Sequence, residues 1–203
     1  PLRAKYAVDF HTAAHYFFTQ DHDAGYVADL WDKRNVTNRT VEPWKRRKPS
    51  AKTTQNTDHA YAQPLTRTTR YTFPIEGYPI GPSSSDGVEK QTLLRPSKTA
   101  IVCVVESATP NVPFGRNYTA KAVYTVKSAG PGVTSVQIDV EVIISGAPLG
   151  TQFIRWATKN GLGDYYTRAE QVINAKLGAP IREAGAVVSA AAKTDQGDGV
   201  AAQ

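Results

Sequence analysis

The sequence predicts an α+β fold, a strongly curved antiparallel sheet of about six strands wrapped around a long C-terminal helix. The first sign is a series of β-branched and aromatic segments between Thr66 and Ile144, punctuated by Gly and Pro. The second is clean alternation in two of them. Tyr118, Ala120, Ala122, Tyr124 and Val126 oppose Thr119, Lys121, Thr125 and Lys127, and Val136, Ile138, Val140, Val142 and Ile144 oppose Gln137, Asp139 and Glu141. One face is dry and the other wet, as in a sheet covered on one side. The third is a change of period: from Leu149 to Leu177 the apolar residues Leu162, Tyr165, Tyr166, Ala169, Val172, Ile173 and Leu177 keep to one helical face.

In chain order, His11 to Gln20 predicts a short helix, and residues 1–35 form an N-terminal helical segment, either part of the domain or flexible. His11, His15, Asp21, His22 and Asp23 have spacing compatible with a metal but match no zinc signature, so surface histidines are the preferred reading and no metal site is assigned. Val36 to Trp44 predicts a strand ended by the basic block Lys45, Arg46, Arg47 and Lys48. Pro49 to Pro64 is polar and Pro-containing, an extended loop. Thr66 to Ile75 is a strand that Pro74 terminates or confines to an edge. Glu76 to Gly87 reads as a loop carrying Tyr78 and Ile80. Val88 to Arg95 and Thr99 to Ala108 form a hairpin about Pro96 and Ser97, the second strand central because it is apolar on both faces. Two more strands follow, over Tyr118–Ala129 and Val136–Ile144.

The final helix has Thr151 as a cap and Gly178 with Pro180 as a stop. Unbroken, it would be roughly 40 Å long. Gly161 and Gly163 predict a kink or break between Asn160 and Asp164, or a close backbone approach there. Residues 36–177 make the domain, and residues 178–203 read as a flexible tail.

A chain of 203 residues suits one domain, and no apolar run is long enough to span a bilayer. There is no Met, which suggests a fragment of a longer protein. The single Cys103 cannot pair internally and fits a reducing compartment. N-glycosylation triplets at Asn35, Asn38 and Asn117 would matter only in a secreted chain. The formal charge of +6 is concentrated at Lys45 to Lys48. That block is either a solvated loop or a contact for an anionic membrane surface. Nucleic acid is not expected, because aromatics are not interleaved with the basic residues.

Small inward residues, Ala120 and Ala122 on a strand and Ala157, Gly161, Gly163 and Ala169 on the helix, leave room between sheet and helix, with Tyr124, Phe153 and Trp156 able to line it. A void costs ~24 cal/mol per Å³, so a large one implies a ligand unless other side chains fill it. No nucleophile elbow, phosphate loop or paired cysteines are present, so no catalytic residue and no cofactor are assigned. Glu89 and Glu106 could approach each other on the sheet, although strand carboxylates are usually solvated or paired.

Several segments together resemble one family. They are EPWKR at Glu42–Arg46, RYTFPI at Arg70–Ile75, YPIGPSSS at Tyr78–Ser85, VEKQ at Val88–Gln91, NVPFGRNY at Asn111–Tyr118 and FIRWATKNGLGDYY at Phe153–Tyr166. In this order they resemble the VASt domain, the StART-like sterol-binding module of the Aster and Lam (Ysp) proteins, over about Thr37 to Leu177. The resemblance implies a helix-grip fold and a monomeric, non-enzymatic domain that carries a sterol between membranes. It also implies action on the cytosolic face of the endoplasmic reticulum at contact sites. It makes Ile75 to Asp86 a lid, with Ile75, Tyr78 and Ile80 meeting ligand or bilayer. Pocket walls are implied at Phe73, Tyr118, Tyr124, Phe153, Trp156 and Ala157, with Lys45, Arg46, Arg47 and Lys48 on the membrane. Ser83 stands where the family often has Lys. The alternatives are a carrier of another lipid, a filled-core protein-interaction module, or an enzyme using Glu106 or a tyrosine.

Overall fold

The computed structural model describes residues 2–21, 23–46, 63–75, 82–112, 115–145 and 151–181, with backbone alone at 153–160. Eight strands form one sheet: β1 (Leu2–Tyr6), β2 (Thr37–Val41), β3 (Lys45–Arg46), β4 (Leu65–Pro74), β5 (Ser84–Ser97), β6 (Ala100–Ala108), β7 (Tyr118–Gly130) and β8 (Val133–Ile144). Three helices join them, α1 (Phe10–Phe18), α2 (Tyr26–Lys33) and α3 (Thr151–Leu177). The sheet order is β1-β8-β7-β6-β5-β4-β2, with β3 also on β4, and the pairings are antiparallel.

The class is as expected, but the sheet has eight strands where about six were predicted. β1 was missed because five residues carry little pattern, though Leu2, Ala4 and Tyr6 alternate inward and pair with β8 from Ile138 to Thr134. The strand expected over Val36 to Trp44 is shorter, β2 ending at Val41, and the first two residues of the basic block form a separate short strand, β3. Ser84 to Gly87, read as loop, is strand because it pairs with Pro74 to Tyr71. The hairpin turn falls at Lys98 and Thr99, while Pro96 lies at a bulge between Leu94 and Ser97, one of the few places a strand tolerates Pro.

Residues 2–35 supply both α1 and α2 to the core. Asp9 caps α1 by accepting from Thr12 N at 2.9 Å. α2 is N-capped by Gly25, whose φ of +84° and the 2.5 Å that would separate an added Cβ from Tyr16 O leave no space for a side chain. It ends where Asn35, φ +52°, turns the chain left-handed, a conformation Asn tolerates. His11 and His15 lie on the exposed side of α1.

α3 runs without a break through Gly161 and Gly163, and a Cβ at either would meet nothing within 4 Å, so no close approach explains them. Both positions are exposed. Gly161→Ala and Gly163→Ala should therefore each stabilise the fold by up to ~1 kcal/mol, read as a rise of ~2–4 °C in Tm. The helix ends at Gly178, φ +87°, whose N–H donates to Asn174 O. The chain then returns to β1, where Ile181 N donates to Lys5 O at 2.7 Å, so the first residues of the expected tail are anchored. The rest of the tail lies outside the described residues.

The helical stripe behaves as predicted in its second half. Ala169 and Ile173 are fully buried and Val172 and Leu177 nearly so, packed with Tyr6, Phe10, Phe17, Tyr26 and Leu30 against Val126, Val136 and Ile138. α3 packs on α2, β8 and β1, and α1 on β7, β8 and α2. The sheet thus grips three helices rather than one.

Candidate functional site

The concave face changes character along the strands. On β7, Val126 is fully buried and Ala122 nearly so, whereas Ala120 and Tyr118, on the same side by alternation, keep accessible surface. On β8, Val136 and Ile138 are 1% and 0% exposed, and Val140, Val142 and Ile144 are then partly open. The closed half lies under α1, α2 and the end of α3. The more accessible half lies toward the start of α3 and toward the end of β4 and the start of β5, where Ile75 N donates to Ser83 O at 2.8 Å across the two ends of the segment expected to be a lid. In the lower half α1 and α2 fill the space expected between helix and sheet, and in the upper half the described residues Tyr118, Ala120, Val140, Val142 and Ile144 keep accessible surface.

Where the halves meet, three phenols converge. Tyr165 of α3 hydrogen-bonds Tyr124 of β7, and its hydroxyl is 3.3 Å from that of Tyr26 of α2. The Tyr26 and Tyr124 rings meet edge-on at 5.8 Å. Next to Tyr165, Tyr166 accepts from Val140 N at 2.9 Å, so α3 is held to β8 as well. Burial, above all, pushes the Tyr26, Tyr124 and Tyr165 pKa values above the ordinary 10, and that of Tyr6 up to about 12. These groups are neutral at physiological pH, able both to donate and to accept.

The sign of the pH dependence follows. The folded state holds these phenolic protons more tightly than the unfolded chain, whose tyrosines titrate near 10. Their contribution is complete below about pH 10 and is lost as the pH climbs from there toward the raised folded values, about 12 for Tyr6. Melting temperatures measured against alkaline pH should begin to fall near 10. Tyrosine absorbance should show the buried phenols ionising only as the protein unfolds. Ionisation of all ten tyrosines near 10 in a still-folded protein would contradict this arrangement.

Beside the phenols, a polar ledge crosses β4 and β5. Glu89 accepts from Tyr71 Oη at 2.8 Å, Gln91 Nε2 at 3.1 Å, Thr69 Oγ1 at 3.3 Å and Ser107 Oγ at 3.4 Å. Gln91 in turn accepts from Arg67 Nε at 2.7 Å, and Arg67 also donates to Thr19 O and stacks over Trp44 at 4.2 Å. Burial lowers the Arg67 pKa, with the nearby Cys103 and Glu89 opposing the shift. Gly87 sits directly opposite Tyr71, and a Cβ there would come within 2.6 Å of the ring, so glycine is what lets Tyr71 lie along the sheet toward Glu89.

Of the residues predicted to line a pocket, Tyr124 is at this centre. Tyr118 lies on the same strand nearer the open end, its hydroxyl 2.5 Å from that of Thr109. Phe73 packs with Tyr71, Trp31 and Val36, under the Arg34 guanidinium at 5.8 Å. Ile75 follows the end of β4, with its N–H bonded to Ser83 O. Tyr78, Ile80, Arg47 and Lys48, and the side chains of Phe153, Trp156 and Ala157, lie outside the described residues. Lys45 and Arg46 are exposed and pair with Thr66 and Leu65, at the opposite end of β4 from Ile75. That is about 30 Å away at ~3.3 Å per residue, so these two cations stand far from Ile75.

Glu106 is exposed and registers with Lys90 on the outer face, while Glu89 points inward, so the two carboxylates never meet. The ledge was missed at Arg67, Gln91 and Tyr71. Its signal was present: Arg67, Thr69, Tyr71 and Phe73 share one face by simple alternation. Cys103 is buried in the central strand, its thiol pushed by burial up to about 12.

A partly accessible, mainly apolar face beside neutral hydroxyls suits a lipid with a small polar group. No characterised protein matches the chain in direct sequence comparison. A family model does match, that of the VAD1 Analog of StAR-related lipid transfer domain, over residues 2–161. The match begins at β1, so it takes in α1 and α2 as well as the sheet. By that match over most of its length, the chain belongs to the VASt family, a StART-like family of lipid-binding domains.

Proposed function

We propose that the domain binds a sterol in the upper half of its cup and carries it between membranes, without catalysis. The observation that carries this reading is the loss of burial along β7 and β8 beyond Ala122 and Ile138, on a face that is tightly closed below. A rigid fused-ring body would bury against Ala120, Val140 and Val142 at roughly 25 cal/mol per Å² of apolar surface. Its single hydroxyl would find a partner among Tyr124, Tyr165 and Tyr26, or on Glu89, directly or through water. Entry would be through the segment between Ile75 and Ser83. The resemblance alone supports placing this activity on the cytosolic face of the endoplasmic reticulum, at membrane contact sites.

Titration with a fluorescent sterol tests the reading. A saturable one-to-one signal is expected, together with sterol transfer between vesicles and sterol among the lipids that co-purify with the chain. Co-purification of a phospholipid or fatty acid with no sterol signal would assign the cup to another lipid. Absence of any lipid would favour a filled-core interaction module.

A further inference from the structure

The register of the sheet gathers a group of cationic residues at the end of β4 opposite Ile75. Arg95 and Lys98 lie at the tip of the β5–β6 hairpin, which runs beyond the start of β4. Lys127 pairs with Ala100 beside that tip. Lys45 and Arg46, paired with Thr66 and Leu65, flank it on the other side. All five are exposed. Only Lys45 has a carboxylate within reach among the described residues: Glu42, at 3.5 Å, which also holds Arg70. From β3 to β7 the group extends across four strand spacings, about 20 Å.

We infer that this blunt, basic end of the sheet is a docking surface for an anionic lipid bilayer, distinct from the membrane met by the lid. The inference rests on the lipid-carrier reading for its choice of a bilayer as occupant. The charge and shape argue the same way: cations on strand ends and one turn, of which only Lys45 has a carboxylate beside it, present a broad end rather than a groove, and among the described residues no exposed aromatic stands with them to stack on bases. The opening lies about 30 Å away at the other end of β4. A domain held by its basic end therefore directs Ile75 and Ser83, at the other end of the sheet, away from the anionic membrane. Apposed membranes, rather than one, are the geometry this fits.

The test uses the full chain and the variant Arg95→Glu/Lys98→Glu/Lys127→Glu, whose positions are exposed and outside the cup. Wild type should sediment with phosphatidylserine-containing vesicles, bind phosphatidylcholine vesicles at least tenfold less, and lose binding in high salt. The triple variant should lose roughly tenfold or more of the binding to anionic vesicles while keeping its Tm and its sterol titration in solution. Wild-type-like binding by the variant overturns the proposal, as does equal binding of wild type to neutral vesicles. Binding to RNA but not to anionic vesicles, abolished in the variant, would overturn it in favour of nucleic acid. Because the sterol titration contains no vesicles, its failure would sink the carrier reading without touching the vesicle result.

Discussion

Ala120→Trp should abolish ligand binding, lowering affinity for a fluorescent sterol at least tenfold, while Tm falls by no more than a few degrees. Ala120 sits between Ser107 of β6 and Val142 of β8 on the concave face, two residues beyond nearly buried Ala122, and retains accessible surface. An indole placed there would project into the volume assigned to the ligand and so compete with it. In a filled core the same substitution would be overpacking, costing ~1–3 kcal/mol with displaced neighbours. The two cases separate cleanly. Retained binding with a large loss of stability would show that protein already occupies the space above Tyr124.

The largest effect on stability is expected from Ile173→Ala. Ile173 is fully buried on α3, in the cluster that includes Tyr6, Phe17, Val136 and Ile138. Removing its side chain from a site closed on all sides should cost ~2–5 kcal/mol, or roughly 10 °C in Tm for a domain of this size. Leu162→Ala is the contrasting variant. Leu162 lies on the same helical stripe but is partly accessible, toward the open half. It should cost less than ~1.5 kcal/mol and should weaken ligand binding instead. Equal destabilisation by the two would mean that the whole length of α3 is sealed against the protein.

This difference between Ile173 and Leu162 shows where reading the sequence stops. Their spacing places both on one apolar stripe, and the stripe was legible. That its C-terminal part is sealed in the core while Leu162, Tyr165 and Tyr166 keep accessible surface was not. The filling comes from α1 and α2. α2 left a faint signature in Tyr26, Leu30 and Trp31 between Gly25 and Asn35, and α1 in the aromatic run Tyr16 to Phe18. Neither segment says which part of a distant strand it will cover. In the same way, Arg67, Tyr71 and Glu89 alternate onto one face in plain view, but their convergence depends on β4 registering with β5, Tyr71 opposite Gly87 and Thr69 opposite Glu89.

Taken alone, the sequence determined the class of fold, the dry and wet faces of β7 and β8, the length and stop of α3, and the family. These rest on periodicity and local backbone preference, which act between near neighbours in the chain. Only the tertiary structure decided that α1 and α2 cover the lower half of the sheet's inner face, that Glu89 and Glu106 point to opposite sides, and that Lys45 and Arg46 stand at the far end of β4 from Ile75. Each of these is a matter of register between segments dozens of residues apart. Shifting a strand by one residue turns all its side chains over, and no local pattern records where its partner begins.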